Sequence, residues 1–277
     1  MRTGVVRSHR SKIVVARILS RPTRIYPWQR RKVKMFSGFA EYSPEHFNSL
    51  LDVDEADRRM RADNILDAAL KITGPLFLHF GVWESWGLCL LHKHWEIDFD
   101  EIPLQNREEY SGFTQYRLQP RMASEVRSAV PSVLCASNGK FIGLEYSTSA
   151  HVVQSNEIVL RHPDFLTKLA DTLNRSGLAR VFGLISTIQD ARAGFKFVES
   201  TRSGRVSVLR ETPISEVSEV RLIETSWRFS PMSANTLCVS NCLTSCVQFC
   251  NPNSDGSHSD GGHLSQHQAG HFGQQGS

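Results

Sequence analysis

Two histidines lie two positions apart in the segment LLHKHWEI, which is typical of a β-strand. Side chains at positions i and i+2 of a strand point to the same face, so His92 and His94 would lie about 6–7 Å apart, with Glu96 one step further. Two imidazoles at this spacing can bind one metal ion through bonds of about 2.0–2.1 Å, but Glu96 would be too distant from His92 to join them. The pattern predicts half of a sheet that faces solvent, and the alternative is a metal site at His92 and His94 with a third ligand from another strand.

A second candidate site is the segment CVSNCLTSCVQFC, in which a cysteine recurs at every fourth position. On a helix these thiols would form one stripe, where neighbours could pair or share a metal ion, although the first and fourth would lie about 18 Å apart. Four interpretations stay open: zinc binding together with histidines of the tail, local disulfides or redox sensing, acylation, and a cysteine-rich end without a site. The residues concerned are Cys238, Cys242, Cys246, Cys250 and the tail histidines His258, His263, His267 and His271.

Signatures of common enzyme classes are absent from the sequence. It contains no Gly-x-x-x-x-Gly-Lys-Ser/Thr phosphate loop, no His-Glu-x-x-His and no Gly-x-Ser-x-Gly. The Ser-x-x-Lys match that begins at Ser137 contains Asn138 and Gly139, which fit a type I′ hairpin turn between two apolar runs. An enzyme would therefore have to assemble its site from distant residues, which the sequence allows.

The elements that must position these residues follow from the apolar patterns. Apolar residues at helical spacing predict helices over 43–51, 54–72 and 163–176, and Thr73-Gly74-Pro75 is expected to end the second. Short apolar runs predict strands over 76–80 and 86–97, a hairpin over 131–147 and four more strands between 179 and 229. Mixed helices and strands predict an α+β fold, with a single largely antiparallel sheet and two or three helices over residues 36–230.

The two ends of the chain differ in composition from this body. Residues 1–34 hold eleven Lys or Arg and no acid, although the whole chain carries only +4. This basic segment is typical of a mitochondrial presequence, a disordered tail or an extension of the reading frame ahead of Met35. A cysteine-rich segment is expected over 231–250, and the Gly, Ser, His and Gln of 251–277 predict a disordered tail.

Charge argues against a nucleic-acid partner, and hydropathy argues against a membrane span. Outside the basic head, 21 basic residues face 28 acidic ones, without the basic stripe and interleaved aromatics of a nucleic-acid interface. No apolar run approaches the ~18 residues of a membrane span. Nucleic acid is therefore an unlikely partner, and no membrane span is expected.

Three resemblances to known proteins bear on these segments. A His-x-His strand behind Gly87 resembles the opening of the cupin signature, although four residues separate Gly87 from His92 where cupins have five. The recurring cysteines of CVSNCLTSCVQFC, which we call the cysteine comb, resemble the twin Cys-x3-Cys motif of intermembrane-space chaperones. The long insert that separates the two pairs in those chaperones is absent here. WGLCLLHKHWEI, SNGKFIGLEYS, TSWRF and the comb together resemble a group of fungal proteins with no assigned activity, over residues 40–250. The last resemblance implies one intracellular domain and no mechanism.

Two functions of different class are consistent with the sequence. The first is a non-catalytic intracellular interaction or regulatory module that binds a protein partner, with the cysteine-rich end as a metal or redox element. The alternative is a metal-dependent enzyme that uses His92 and His94. The sequence leaves the cofactor open, with zinc as one candidate. The six cysteines do not form the framework of a small secreted domain, which favours a cytoplasmic location, or a mitochondrial one if residues 1–34 are a presequence.

Overall fold

A closed barrel of ten strands dominates the part of the chain that the computed structural model describes. The described residues are 39, 42–110, 112–188, 191–202, 204–217, 222–232 and 235–247. The basic head, Cys250 and the tail lie outside them. The strands are β1 (Trp86–Leu90), β2 (Glu101–Tyr110), β3 (Phe113–Met122), β4 (Val130–Ser137), β5 (Lys140–Ser147), β6 (Phe182–Ser186), β7 (Phe195–Arg202), β8 (Val206–Pro213), β9 (Leu222–Met232) and β10 (Asn235–Val247).

The barrel mixes parallel and antiparallel neighbours. Around its circumference the order is β1-β6-β4-β5-β2-β3-β8-β7-β10-β9, and β9 returns to β1. The pairs β2/β5 and β7/β10 are parallel, and the others are antiparallel. Closure depends on a short contact in which Leu88 pairs with Trp227 and Cys89 with Ser226. A Cβ on Gly87 would lie 2.4 Å from the Trp227 carbonyl oxygen, so β1 and β9 approach more closely there than a larger residue permits.

This architecture shows that the predicted α+β fold, with a largely antiparallel sheet and two or three helices, is wrong. The alternation of apolar and polar residues along a strand is the same in an open sheet and in a barrel, because closure is set by strand tilt and register. Strands β2 and β3 were not predicted from the sequence, because charged and exposed residues interrupt their apolar patterns. Strand β10 was not predicted either, because the spacing of its cysteines was interpreted as helical.

Six helices accompany the barrel in the described residues. They are α1 (Pro44–Asn48), α2 (Val53–Arg61), α3 (Ile65–His79), α4 (Ala150–Leu160), α5 (Pro163–Arg175) and α6 (Ile214–Val217). Helices α2, α3 and α5 share one apolar core with the outer faces of β1, β6 and β9. In this core the ring of Phe77 lies 5.2 Å from that of Phe165 and 4.6 Å from that of Phe229. None of the described helices is long and apolar enough to cross a bilayer.

Helix α3 differs from the prediction at both ends. The expected helix over 54–72 is interrupted at Asp63 and Asn64, which have φ of 52° and 55°. Residues 76–79 belong to α3 rather than to a strand, Phe80 caps the helix, and Pro75 lies inside it. Pro75 costs the helix one hydrogen bond, and burial of Phe77 in the apolar core offsets that loss.

Two predictions of local structure are confirmed. Strands β4 and β5 form a hairpin whose turn residues Asn138 and Gly139 have φ of 50° and 73°, the two positive values that a type I′ turn requires. Helix α5 begins at Pro163 and ends before Ser176-Gly177 as expected, and Gly177 has a φ of 72°. In both places the turn residues fix the backbone locally, whatever the surrounding fold.

Candidate metal centre

The barrel encloses a small cavity with several polar side chains in a mainly apolar lining. Its volume is about 50 Å³, and each of the ten strands contributes at least one residue to its wall, so it is the barrel lumen. Its polar lining includes His92, Gln105, Glu145 and Glu199. A space of this size can hold a few water molecules or an ion, and it is far smaller than the ~300–1,000 Å³ pocket of a drug-sized ligand.

The segment after β1 places His92 in the lining of this lumen and His94 beside His92. Strand β1 stops at Leu90 rather than continuing to residue 97, and the next residues are held by hydrogen bonds from Leu91 N to Val181 O and from Lys93 N to Leu51 O, each 2.8 Å. The Lys93 ammonium contacts the Asn48 carbonyl oxygen and the Glu96 carboxylate. Lys93 and Glu96 are thus engaged with each other, away from the histidines. Glu96 is no part of the site.

Four potential metal ligands converge beside the lumen. One donor atom from each of His92, His94, Glu199 and Cys246 lies within 4.8 Å of each of the others. The Nε2 atoms of His92 and His94 are 3.2 Å apart, and His94 Nε2 is 3.1 Å from Glu199 Oε1. Around a tetrahedral ion with bonds of about 2.0–2.1 Å, neighbouring ligand atoms lie about 3.3 Å apart. These two distances therefore already match a coordination shell.

A backbone contact orients His92 with its Nε2 lone pair toward the cluster. Its Nδ1 lies 2.9 Å from the carbonyl oxygen of Leu90, which can only accept a hydrogen bond, so Nδ1 carries the proton. When the His92 ring is neutral, its Nε2 is then an acceptor, and His94 Nε2 donates the hydrogen bond between the two rings. Metal-binding histidines usually hold their second nitrogen in this way. A metal ion would replace the His94 proton that links the cluster.

Glu199 is held as a carboxylate despite its surroundings. Burial alone would raise its pKa, but the charges of His94 and His92 and hydrogen bonds from His94 and Ser207 lower the pKa to about 2. The Ser207 hydroxyl donates to Glu199 Oε1 at 2.6 Å. An ionised carboxylate fixed by a hydroxyl is the form in which glutamate binds a metal ion.

Cys246 joins the cluster because the cysteine comb forms a strand. In the parallel pairing of β10 with β7, Cys246 lies opposite Glu199, and it is fully buried. Cysteines four positions apart on a strand are about 13 Å apart, so they cannot share one ion. Cys242 is exposed, with its Sγ 3.4 Å from the Thr244 carbonyl oxygen, and Cys238 also lies in β10. The structure thus unites one cysteine of the comb with both histidines, and metal binding there stays a prediction.

Sequence reasoning missed the two acidic residues of the lumen, Glu199 and Glu145. For Glu199 a signal was present, because alternation in the predicted strand places it on the same face as Phe195 and Phe197. Glu145 follows an irregular pairing of β4 with β5, which shifts the alternation at that point. Its pKa is raised to about 8 by burial and by the charge of Glu199, against the opposing effect of His94.

No protein-family model, no curated protein and no solved structure matches this chain. The chemistry of the site must therefore be argued from its own residues.

Proposed function

We propose that this protein is a metal-binding barrel that holds one divalent transition-metal ion, with zinc as the first candidate, through His92, His94, Glu199 and Cys246. The observation that carries the proposal is the convergence of these four donor atoms to within 4.8 Å of one another. A thiolate, two imidazoles and a carboxylate are the ligands that zinc uses in proteins, whereas Mg²⁺ and Ca²⁺ prefer an all-oxygen shell.

The orientation of the ligands supports a metal over a purely structural hydrogen-bond network. The Leu90 carbonyl oxygen fixes the tautomer of His92, and Ser207 fixes the Glu199 carboxylate. Hydrogen bonds of this kind orient a ligand side chain toward the metal ion that it binds. A network of histidine and glutamate side chains could stabilise the lumen without a metal, and the experiment below distinguishes the two.

The test is the number of zinc ions that the full-length reduced protein binds after treatment with a chelator. We expect His92→Ala, Glu199→Gln and Cys246→Ser each to lose one tightly bound equivalent relative to the wild type, measured by competition with a chelating indicator. Binding should also release at least the Cys246 thiol proton, since zinc takes the thiolate. Proton release is measured by calorimetry in buffers of different ionisation enthalpy.

Matched controls separate this site from the other cysteines and histidines of the chain. Cys242→Ser changes an exposed thiol of the same strand, and His79→Ala removes an exposed histidine of α3. Both control variants should still bind one equivalent of zinc tightly. Unfolding of each variant in chelator shows whether it is folded without metal, and Glu199→Gln preserves side-chain volume. If the wild type and the three site variants bind equal amounts of zinc, the cluster is a metal-free network and the proposal is wrong.

A further inference from the structure

We propose that the metal ion in the lumen keeps one coordination position open toward the cavity, and that Glu145 donates a hydrogen bond to the small ligand in that position. The inference rests on the metal site proposed above and adds its ligand class. That class is water, or an anion of a few heavy atoms such as azide or formate. A site of this kind could activate a small molecule, whereas a closed structural site could not.

Two of the four donor residues line the cavity, and the other two do not. His92 and Glu199 line the cavity, whereas His94 is 2% exposed and Cys246 is fully buried. An ion among the four donors would therefore have protein on one side and the lumen on the other. Zinc in some catalytic sites expands from four to five ligands.

Glu145 provides an independent sign that the lumen holds a ligand. Its side chain lines the same cavity. Among the described residues it makes no hydrogen bond and no ion pair; burial and the charge of Glu199 raise its pKa, and the charge of His94 lowers it. A carboxyl group kept in a mainly apolar lumen without a protein partner costs free energy, which a hydrogen bond to a bound ligand would recover.

The size of the cavity and its surroundings define what can reach the ion. About 50 Å³ admits a ligand of a few heavy atoms and excludes larger ones. An open cleft of about 410 Å³ lies outside, lined by Arg107, Tyr110 and Phe113, and Tyr116 borders both this cleft and the lumen. The Tyr116 ring lies 6.0 Å from that of Phe197. Both rings line the cleft, and Tyr116 also lines the lumen.

The experiment uses cobalt(II), which replaces zinc and has a visible spectrum that reports its ligands. The full-length protein is loaded with one equivalent of cobalt and titrated with azide, which would displace one water molecule from the ion. We expect the cobalt bands to shift with saturation, and a band from cobalt–thiolate charge transfer to persist throughout. Formate should compete with azide, and benzoate, which is too large for the cavity, should not.

Variants of Glu145 test the hydrogen bond. Glu145→Leu should weaken azide binding by about tenfold or more, the effect of losing one hydrogen bond to a charged group. Glu145→Gln still has a donor and should bind azide within about threefold of the wild type. Glu96→Gln, which changes an exposed acid close to His94 in sequence, is the control.

Each outcome has a distinct meaning. If cobalt does not bind, the proposed function fails and this inference with it. If cobalt binds but azide leaves its spectrum unchanged, the metal site stands and the open position is refuted. If azide binds equally well, or more tightly, in Glu145→Leu, the carboxyl group does not donate to the ligand.

Discussion

The most informative single residue is Glu145, because its position is unfavourable for stability. Burial raises its pKa to about 8, so the folded metal-free protein holds a proton that the unfolded chain loses above its ordinary pKa of 4.5. Natural proteins tolerate such residues mainly at functional sites. The same shift gives a pH dependence with a definite sign.

We expect the metal-free wild type to lose stability relative to Glu145→Gln as pH rises from about 5 to 9. Between pH 4.5 and 8 the folded state binds more protons at this position than the unfolded state, so the free energy of unfolding falls with rising pH. Glutamine does not titrate, so the variant lacks this pH-dependent contribution to the free energy of unfolding. The difference between the two proteins should be small at pH 5 and reach at least about 1 kcal/mol at pH 9.

Urea unfolding across this range, in the presence of a chelator, measures the difference. Because all other residues are the same in both proteins, their contribution cancels to first order in the comparison. Parallel stability profiles for the two proteins would show that Glu145 is solvated and ionised in the folded state.

At the scale of elements, the site depends on how the segment after β1 is held against the β7–β8 hairpin. Arg205, just before β8, forms two hydrogen bonds with the Glu101 carboxylate at 2.7 and 2.8 Å and donates to the Glu96 carbonyl oxygen at 3.1 Å. This contact joins the hairpin that carries Glu199 to the segment that carries the histidines. Burial opposes ionisation of Glu101, but the hydrogen bonds from Arg205 and from the Asp98 backbone lower its pKa.

Arg205→Met should destabilise the protein by about 1–3 kcal/mol, the usual effect of losing hydrogen bonds to a charged group. Arg205→Lys should recover only part of this, because an ammonium cannot make the paired contact of a guanidinium. A double-mutant cycle with Glu101→Gln isolates the interaction, and Arg202→Met, an exposed arginine of the same hairpin, is the control.

The coupling energy from this cycle should also fall in acid. The pKa of Glu101 is lowered by folding, so its contribution is fully present above the unfolded pKa and is lost as pH falls through the folded value. A coupling that is equal at pH 7 and pH 3 would contradict the assigned ion pair.

At the scale of the whole molecule, the proposed ligands connect parts of the barrel that are remote in sequence. The histidines follow β1, Glu199 lies in β7 and Cys246 lies in β10, and β1 reaches the β9–β10 side only through its short pairing with β9. An ion bound by all three segments would resist opening of the barrel at this contact. The unfolded chain cannot assemble the same ligand set, so binding is linked to folding.

Zinc at about 100 times its dissociation constant should therefore raise stability by about 2.7 kcal/mol. For a domain of 150–250 residues this corresponds to a rise in Tm of roughly 5–11 °C. Thermal unfolding with zinc, with Mg²⁺ and with chelator measures the effect, which should be absent with Mg²⁺ and in His92→Ala. An equal shift in His92→Ala would place the stabilising ion elsewhere in the chain.

Local sequence signals determined the features that depend on a few neighbouring residues. The Asn138-Gly139 turn and the start of α5 at Pro163 could be predicted, because turn geometry and helix starts are set within a few positions. His92 and His94 were also candidates, but the strand that was expected to carry them ends at Leu90. The sequence also made Cys246 a candidate ligand, without indicating which cysteine of the comb would act.

Only the tertiary structure decided which residues share the lumen. Closure of the barrel, the end of β1 at Leu90 and the opposition of Cys246 to Glu199 depend on registers between distant strands. Strand alternation alone grouped His92 with Trp86, which packs in the core shared with the helices, and it gave Glu145 no role. Periodicity specifies the two faces of a strand, whereas the side that becomes the interior is fixed only when the sheet closes.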